Sequence, residues 1–329
     1  MPRLIDWRTA AASTVAAAIA AEAERWRVEF AWSVEDAWKS IEPARVAGRL
    51  PGVIALDDSG RVTGWTCFLT HHGALQVAVL TARTPDVTAD LVDAIITSPE
   101  AAAASLHVVC VRDGAPALRT ALAHRGFAVT TYRYLTARPH TVAESAGRVL
   151  APDQAASALR EWDAADIEPM VRLCQDAYAD SREVRAFAPQ GTHGEWHDYV
   201  AGLLTGPGCG RFDREASVVI GDHQQLSAAL IATDLGEGTG HIAQIVVDPA
   251  AQHRRIGTTM VRHAAEVFDE RDYARVTLLV SEANTRAAHL YDQLGFRNRS
   301  SFVVAVNRRP ERFGLNPALA AAVQSPARR

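Results

Sequence analysis

Short apolar runs alternate with longer stretches of helical period along the chain, and the whole order occurs twice. Leu4-Ile5-Asp6-Trp7 leads into Thr9 to Trp26, and Ala158-Leu159-Arg160-Glu161-Trp162 leads through Asp163 into Ala165 to Tyr178. Each reads as a strand feeding a helix. Thr9 and Asp163 are the predicted N-caps, because a side-chain oxygen there can accept a first-turn amide. A hairpin follows in each half. Val53 to Leu56 and Thr63 to Thr70 flank Asp57-Asp58-Ser59-Gly60; Ser217 to Ile220 and Leu226 to Thr233 flank Gly221-Asp222-His223-Gln224.

The order then runs strand (Leu75 to Leu80; His241 to Val247), helix (Val87 to Thr97; Thr258 to Asp269), strand (Leu106 to Val111; Arg275 to Val280), helix, Gly-Phe, strand. The last helices end at Arg125-Gly126-Phe127 and Leu294-Gly295-Phe296, where glycine suits a left-handed C-terminal cap and phenylalanine returns to the core. Two α/β units of one plan are therefore expected, over 1–140 and 157–307. The proline-bearing segment 141–156 reads as the linker, and 308–329 as an appended helix or a frayed tail.

Composition narrows the function classes. A chain of 329 residues, 48% hydrophobic and 22% charged, is globular and long enough for two cores. Its 34 basic and 38 acidic residues leave a net charge of −4, so neither nucleic acid nor an anionic membrane is expected as a partner. Ala10 to Ala21 is too short and alanine-rich to span a bilayer, and it lacks the marks of a signal peptide. Cys67, Cys110, Cys174 and Cys209 are far apart, with no CxxC pair and no zinc-finger spacing. They read as reduced thiols of a cytoplasmic protein, and no metal is expected in the site.

The second unit holds the candidate chemistry. Ile245-Val246-Val247-Asp248-Pro249 runs into Gln252-His253-Arg254-Arg255-Ile256-Gly257-Thr258 and then an amphipathic helix. A strand turning tightly into a helix aims backbone amides and the positive helix end at one point, which suits an anion. Arg254, Arg255 and the Thr258 hydroxyl add charge and donors fitted to a diphosphate. Read alone, the same loop is equally a plain turn with solvated arginines.

Further on, Asn284-Thr285-Arg286-Ala287-Ala288-His289-Leu290-Tyr291-Asp292-Gln293-Leu294-Gly295-Phe296 follows a strand. This pattern, preceded by that loop, strongly resembles the GCN5-related N-acetyltransferases (GNAT), over about residues 157 to 306. One departure is clear: Arg255 stands where the family loop has its first glycine. The resemblance implies an α/β fold of two tandem acyl-CoA N-acyltransferase domains, each a mixed twisted sheet flanked by helices and splayed between its fourth and fifth strands. It implies acetyl-CoA as co-substrate, with Ile245, Val246 and Val247 along the pantetheine and Gln252 to Thr258 around the diphosphate. Asn284 would contact the cofactor and Tyr291 would lie near its sulfur, where a phenol can stabilise a departing thiolate.

Many relatives carry a carboxylate base on the fourth or fifth strand. None stands at His241 to Gln244 or at Thr277 to Leu279; His241 is the candidate base, with Gln244 able to order a water and Asp234 and Glu282 as further candidates. In the first unit Leu122 stands at the place of Tyr291 and Ala115 at that of Asn284, and the loop Thr81 to Asp86 has no glycine. The first unit thus reads as a degenerate copy without cofactor motifs. The expected function is acetyl transfer to a primary amine of a small-molecule acceptor by direct attack, with a non-catalytic acyl-CoA-binding regulator or scaffold as the alternative. The acceptor is expected against the mixed stretch Ala179 to Ala216, which carries Arg182, Glu183, Arg185, His193, Glu195, Trp196, His197 and Asp198.

Overall fold

The computed structural model describes residues 2–149, 158–179, 187–206 and 208–308. Expected elements appear in the expected order. The first half comprises β1 (Arg3–Asp6), α1 (Ala12–Phe30), α2 (Glu35–Val46), β2 (Gly52–Leu56), β3 (Val62–His71), β4 (Ala74–Ala82), α3 (Pro85–Ile96), α4 (Pro99–Ala103), β5 (Leu106–Arg112), α5 (Leu118–Ala123) and β6 (Ala128–Ala137). After α6 (Pro139–Val149), the second half comprises β7 (Arg160–Glu161), α7 (Ile167–Tyr178), α8 (His193–Thr205), β8 (Arg211–Gly221), β9 (Leu226–Asp234), β10 (Thr239–Val247), α9 (Ile256–Glu270), β11 (Arg275–Ser281), α10 (Thr285–Gln293) and β12 (Arg297–Arg308).

Local chemistry explains the element ends. At both Gly-Phe sites the glycine has positive φ, +79° at Gly126 and +91° at Gly295. Phe296 N–H reaches Tyr291 O at 3.0 Å and Gly295 N–H reaches Asp292 O at 3.2 Å, the paired bonds of a Schellman cap. Phe127 and Gly126 repeat them on Leu122 and Ala123. Asp163 and Asp166 form a reciprocal capping box ahead of α7. Thr9 is not the cap of α1. Its hydroxyl turns back to Asp6 O at 2.8 Å, and the helix starts later, at Ala12, behind an uncapped Ala11.

Among the described residues, twelve strands form one sheet, in the order β1-β2-β3-β4-β5-β12-β6-β11-β10-β9-β8-β7. The halves exchange their last strands. β12 pairs antiparallel with β5 of the first half, from Phe302 opposite Arg112 to Arg308 opposite Leu106, while β6 pairs antiparallel with β11 of the second. β6 and β12 pair with each other at the centre. Each half is a mixed twisted sheet with helices, but a cut near residue 140 would divide hydrogen-bonded strands. Residues 141–149 of the expected linker are helix: Pro139 opens α6, whose Val142 and Ala146 are fully buried in the second-half core beside α9. Residues 150–157 and the tail beyond Arg308 lie outside the described residues.

Helices cover both faces of the sheet. α3 and α5 close one core of the first half, and α6, α9 and α10 the corresponding core of the second. α1 and α2 close an aromatic core of Trp7, Phe30, Trp32, Trp65, Tyr134 and Phe302, which crosses the seam between halves; α7 and α8 close the fourth. Phe302 of β12 packs against the Phe30 ring of α1 at 5.1 Å and Arg299 Nη2 donates to Val28 O at 2.8 Å, so the seam is both bonded and packed. Among the described residues, no helix is long and apolar enough to cross a membrane.

Candidate active-site cleft

β10 and β11 are paired in parallel only from Thr239 and Arg275 to Ile242 and Leu278. A bulge then shifts the β9 register between Ile242 and Gln244, and bulges bend and twist the strand that carries them. Beyond it, Gln244 to Val247 stay on β9 alone, and a wedge opens toward β11. The wedge holds a cleft of about 410 Å³, lined by Tyr178, Ile245, Val246, Val247, Gln252, His253, Arg255, Ile256, Gly257, Thr258, Asn284, Arg286 and Tyr291 with three small or aliphatic neighbours and Ala177. Among these lining residues none is Asp or Glu.

Between β10 and α9 the chain takes eight residues, Asp248 to Arg255. Asp248 pins the first turn by accepting Ala250 N–H at 2.8 Å. His253 and Arg255 then have φ of +66° and +60°. A left-handed conformation costs an L-residue about 1–2 kcal/mol, which explains why glycine is favoured at the position Arg255 occupies. Arg255 is the N-cap residue of α9 and offers no side-chain cap. The amides of Ile256, Gly257 and Thr258 therefore lack helical partners and, with the helix dipole, favour an anion at the cleft. A Cβ on Gly257 would lie 3.7 Å from Ile245 Cδ1, an ordinary contact, so the protein's own packing does not require glycine there.

Across the cleft, Asn284 caps α10 by accepting Ala287 N–H at 3.1 Å. Arg286 was not anticipated. Its Nη1 donates to Gln252 Oε1 at 2.8 Å, tying α10 to the loop and adding a cation to the wall. Its place two residues after Asn284, in the first turn of α10, was the available sign. Of the loop residues expected at the diphosphate, Arg254 alone is outside the lining; it is exposed.

A directed chain of hydrogen bonds crosses the inner end. Tyr199 O–H donates to Gln244 Oε1 at 2.7 Å, Gln244 Nε2 donates to Tyr178 Oη at 2.8 Å, and Tyr178 O–H donates to Ile245 O at 3.3 Å. Burial raises the pKa of both Tyr178 and Tyr199 above the usual phenol value, so both remain protonated. Tyr291 is 6% exposed and packs edge-on to Phe296 at 5.7 Å. Its hydroxyl has no hydrogen-bond partner among the described residues, and burial pushes its pKa up to about 12.

His241 is not brought to the cleft. It lies before the bulge, 3% exposed, with its ring 5.3 Å from Trp32 of the first half and 6.3 Å from Tyr134. Thr277 O–H donates to Gly240 O at 3.1 Å, so His241 Nδ1 at 2.9 Å is the donor to Thr277 Oγ1. Burial pushes its pKa down to about 3, leaving a neutral structural imidazole. In the expected acceptor stretch, Glu195 is spent on capping α8, and Trp196 stacks on Tyr178 at 5.5 Å. Arg182, Glu183 and Arg185 lie outside the described residues. All four thiols are free, and burial pushes them up to about 11 or 12, far from a reactive thiolate.

The corresponding wedge in the first half starts the same way. β4 and β5 pair only from Ala74 and Leu106 to Val77 and Val109. There the chain enters α3 after two residues, Arg83 and Thr84, and the Thr84 hydroxyl takes up Val87 N–H at 3.3 Å. Leu122 and Ala115 are buried in the core. α1 runs along this opening, which remains a cleft of about 500 Å³ with Arg25, Arg61, Arg83 and Arg112 in its lining; beside it Glu22, 2% exposed, pairs with Arg25, with Arg112 at 3.3 Å and with Trp26 Nε1 at 3.1 Å.

Residues 173–296 match the model of the acetyltransferase (GNAT) family. The fold is similar to a GCN5-related N-acetyltransferase from Sphaerobacter thermophilus, with a TM-score of 0.56 at 14% identity, over 93% of this chain and 96% of that one. It is similar to an acetyltransferase of the GNAT family from Colwellia psychrerythraea, with a TM-score of 0.50 at 9% identity, over 93% and 100%. A tandem GNAT protein from the clavulanic acid biosynthesis pathway matches with a TM-score of 0.50 at 14% identity, over 80% and 84%. At these identities the likeness is one of fold.

Proposed function

We propose that this chain, whose residues 173–296 match the acetyltransferase (GNAT) family model, transfers an acetyl group from acetyl-CoA to a primary amine of a small-molecule acceptor in the second-half cleft. The observation that carries this reading is the eight-residue loop and uncapped helix start beside an open strand edge, which the first half lacks. The residues present fit the co-substrate. Ile245 to Val247 offer a strand edge to an extended amide chain. The first-turn amides of α9, with Arg255 and Arg286, offer donors and positive charge to a diphosphate, and Gly257 keeps the wall low.

When bound, acetyl-CoA supplies a thioester whose acyl carbon an unprotonated amine attacks: the C–N bond forms, the C–S bond breaks with the sulfur leaving as thiolate, and the nitrogen gives up its proton to solvent water. Tyr291 is the free donor at the inner wall. Burial pushes its pKa up to about 12, which keeps the phenol protonated and disfavours surrender of its proton. Tyr291 therefore acts by holding a hydrogen bond to the leaving sulfur. The Tyr199–Gln244–Tyr178 chain fixes the amide and phenols that face the acceptor side. No proton passes through His241, and the raised thiols disfavour a covalent acyl-cysteine.

The lack of a carboxylate among the lining residues favours one second reading, an acyl-CoA-binding regulator without turnover. Thiol release from acetyl-CoA across a panel of primary amines separates the two. Release that saturates with one class of amine supports transfer; tight acetyl-CoA binding with no release above the amine-free rate supports the regulator.

A further inference from the structure

We propose that His71, His72 and Asp198 form a divalent transition-metal site, best suited to Zn²⁺, that clamps the β3–β4 hairpin of the first half to α8 of the second. His71 ends β3, and His72 with Gly73 makes the turn into β4. Nε2 of His71 and Nε2 of His72 lie 2.8 and 2.9 Å from the same Asp198 Oδ2, and the three donor atoms all lie within 4.8 Å of one another. Two imidazole nitrogens and a carboxylate oxygen are a donor set that Zn²⁺ accepts, leaving a fourth position to water.

Bonds of about 2.0–2.2 Å in a tetrahedron hold ligands roughly 3.3 Å apart, so each histidine must open from Asp198 by a few tenths of an ångström, and the two imidazole nitrogens, within 4.8 Å of each other, must settle at that separation by side-chain rotation. Their backbones are already fixed: Asp198 lies within α8, and Gln190 Nε2 donates to His72 O at 2.7 Å. Side-chain exposures of 49%, 35% and 49% leave the site open to a solvated ion. Asp198 is followed on α8 by Tyr199, the first donor of the chain at the cleft, so an ion here would also fix the helix that holds Gln244. No spacing in the sequence reveals the trio, because residues 71 and 72 meet residue 198 only through the packing of the two halves.

The test uses the full-length protein, stripped with a chelator and titrated with Zn²⁺ by calorimetry and with Co²⁺ by visible absorption. Saturable binding of one equivalent, with the intense absorption of tetrahedral cobalt, is expected. His72→Ala and Asp198→Ala should each weaken binding by at least the about 100-fold known as the upper range for outer-shell partners. Asp198→Asn, which preserves shape, should also weaken it and guards against misfolding. His193→Ala, which removes a nearby imidazole paired instead with Glu168 at 3.0 Å, should leave it unchanged. Absence of one-equivalent binding, wild-type affinity in the Asp198 variants, or equal loss in His193→Ala would overturn the proposal.

Discussion

At the end of β4 the chain enters its helix after two residues, and at the end of β10 after eight. Both strands part from their parallel neighbour after four paired residues, so the splay belongs to the shared fold and does not by itself make a binding site. What differs is what each half does with the opening. The first half lines it with the longer α1 and neutralises Arg112 with its own Glu22 and Glu29. The second stops α7 at Tyr178, leaves the first amides of α9 without a cap and lines the wedge with two cations and a free phenol. A wedge becomes a ligand site when its polar groups are left to be satisfied from outside.

The largest effect is expected at the ion pairs beside the first-half opening. Glu22→Ala takes from buried Arg112 one of its two carboxylates, leaving Glu29 at 3.2 Å, and should lower unfolding stability by about 3 kcal/mol, measured in denaturant, while acetyl-CoA affinity at the second cleft holds. A parallel fall in affinity would show that the two openings are energetically one. Next, Gly257→Trp fills the second opening and should weaken acetyl-CoA binding more than 100-fold, about 2.7 kcal/mol, with the melting temperature near that of Gly257→Ala. Retained affinity in a folded Gly257→Trp protein would place the diphosphate elsewhere.

Tyr291→Phe tests the phenol that Leu122 replaces in the first half. Its kcat should fall by 10- to 100-fold, about 1.4–2.7 kcal/mol, with an unchanged acetyl-CoA Kd by calorimetry; unaltered turnover would reduce Tyr291 to a packing residue. The smallest effect belongs to Arg255→Gly, because two terms oppose. Loss of a charge-assisted contact should weaken binding about tenfold, or 1.4 kcal/mol, while relief of the left-handed arginine should raise the melting temperature. Tighter binding at both low and physiological salt would show that the Arg255 side chain does not serve the anion.

Most of this contrast was legible in the sequence, since loop length, glycine placement and the Tyr291 and Leu122 pair are local features. The Gly-Phe caps and hairpins likewise follow from short-range backbone chemistry. α6 was hidden because Pro139 resembles a break, although proline is equally at home as the first residue of a helix. His241 was misjudged because a bulge at Ala243 decides which strand residues reach the wedge, and no sequence pattern marks it. The exchange of β6 and β12 was illegible for a different reason. Both strands have similar alternation, and their partners are chosen by packing between segments more than a hundred residues apart.

That exchange sets a timetable for the chain as it leaves the ribosome. β5 and β6 are made early, but the strand that lies between them, β12, is made last among the described elements. Until residues near 300 emerge, the nascent first half presents two long strand edges with no partner, the kind of surface that recruits foreign strands. Pairing across so great a sequence separation also slows closure. A polypeptide halted after the first half is thus expected to be a chaperone client or an aggregate, and maturation of both halves should occur in a single late step that a pulse-chase protease experiment can time.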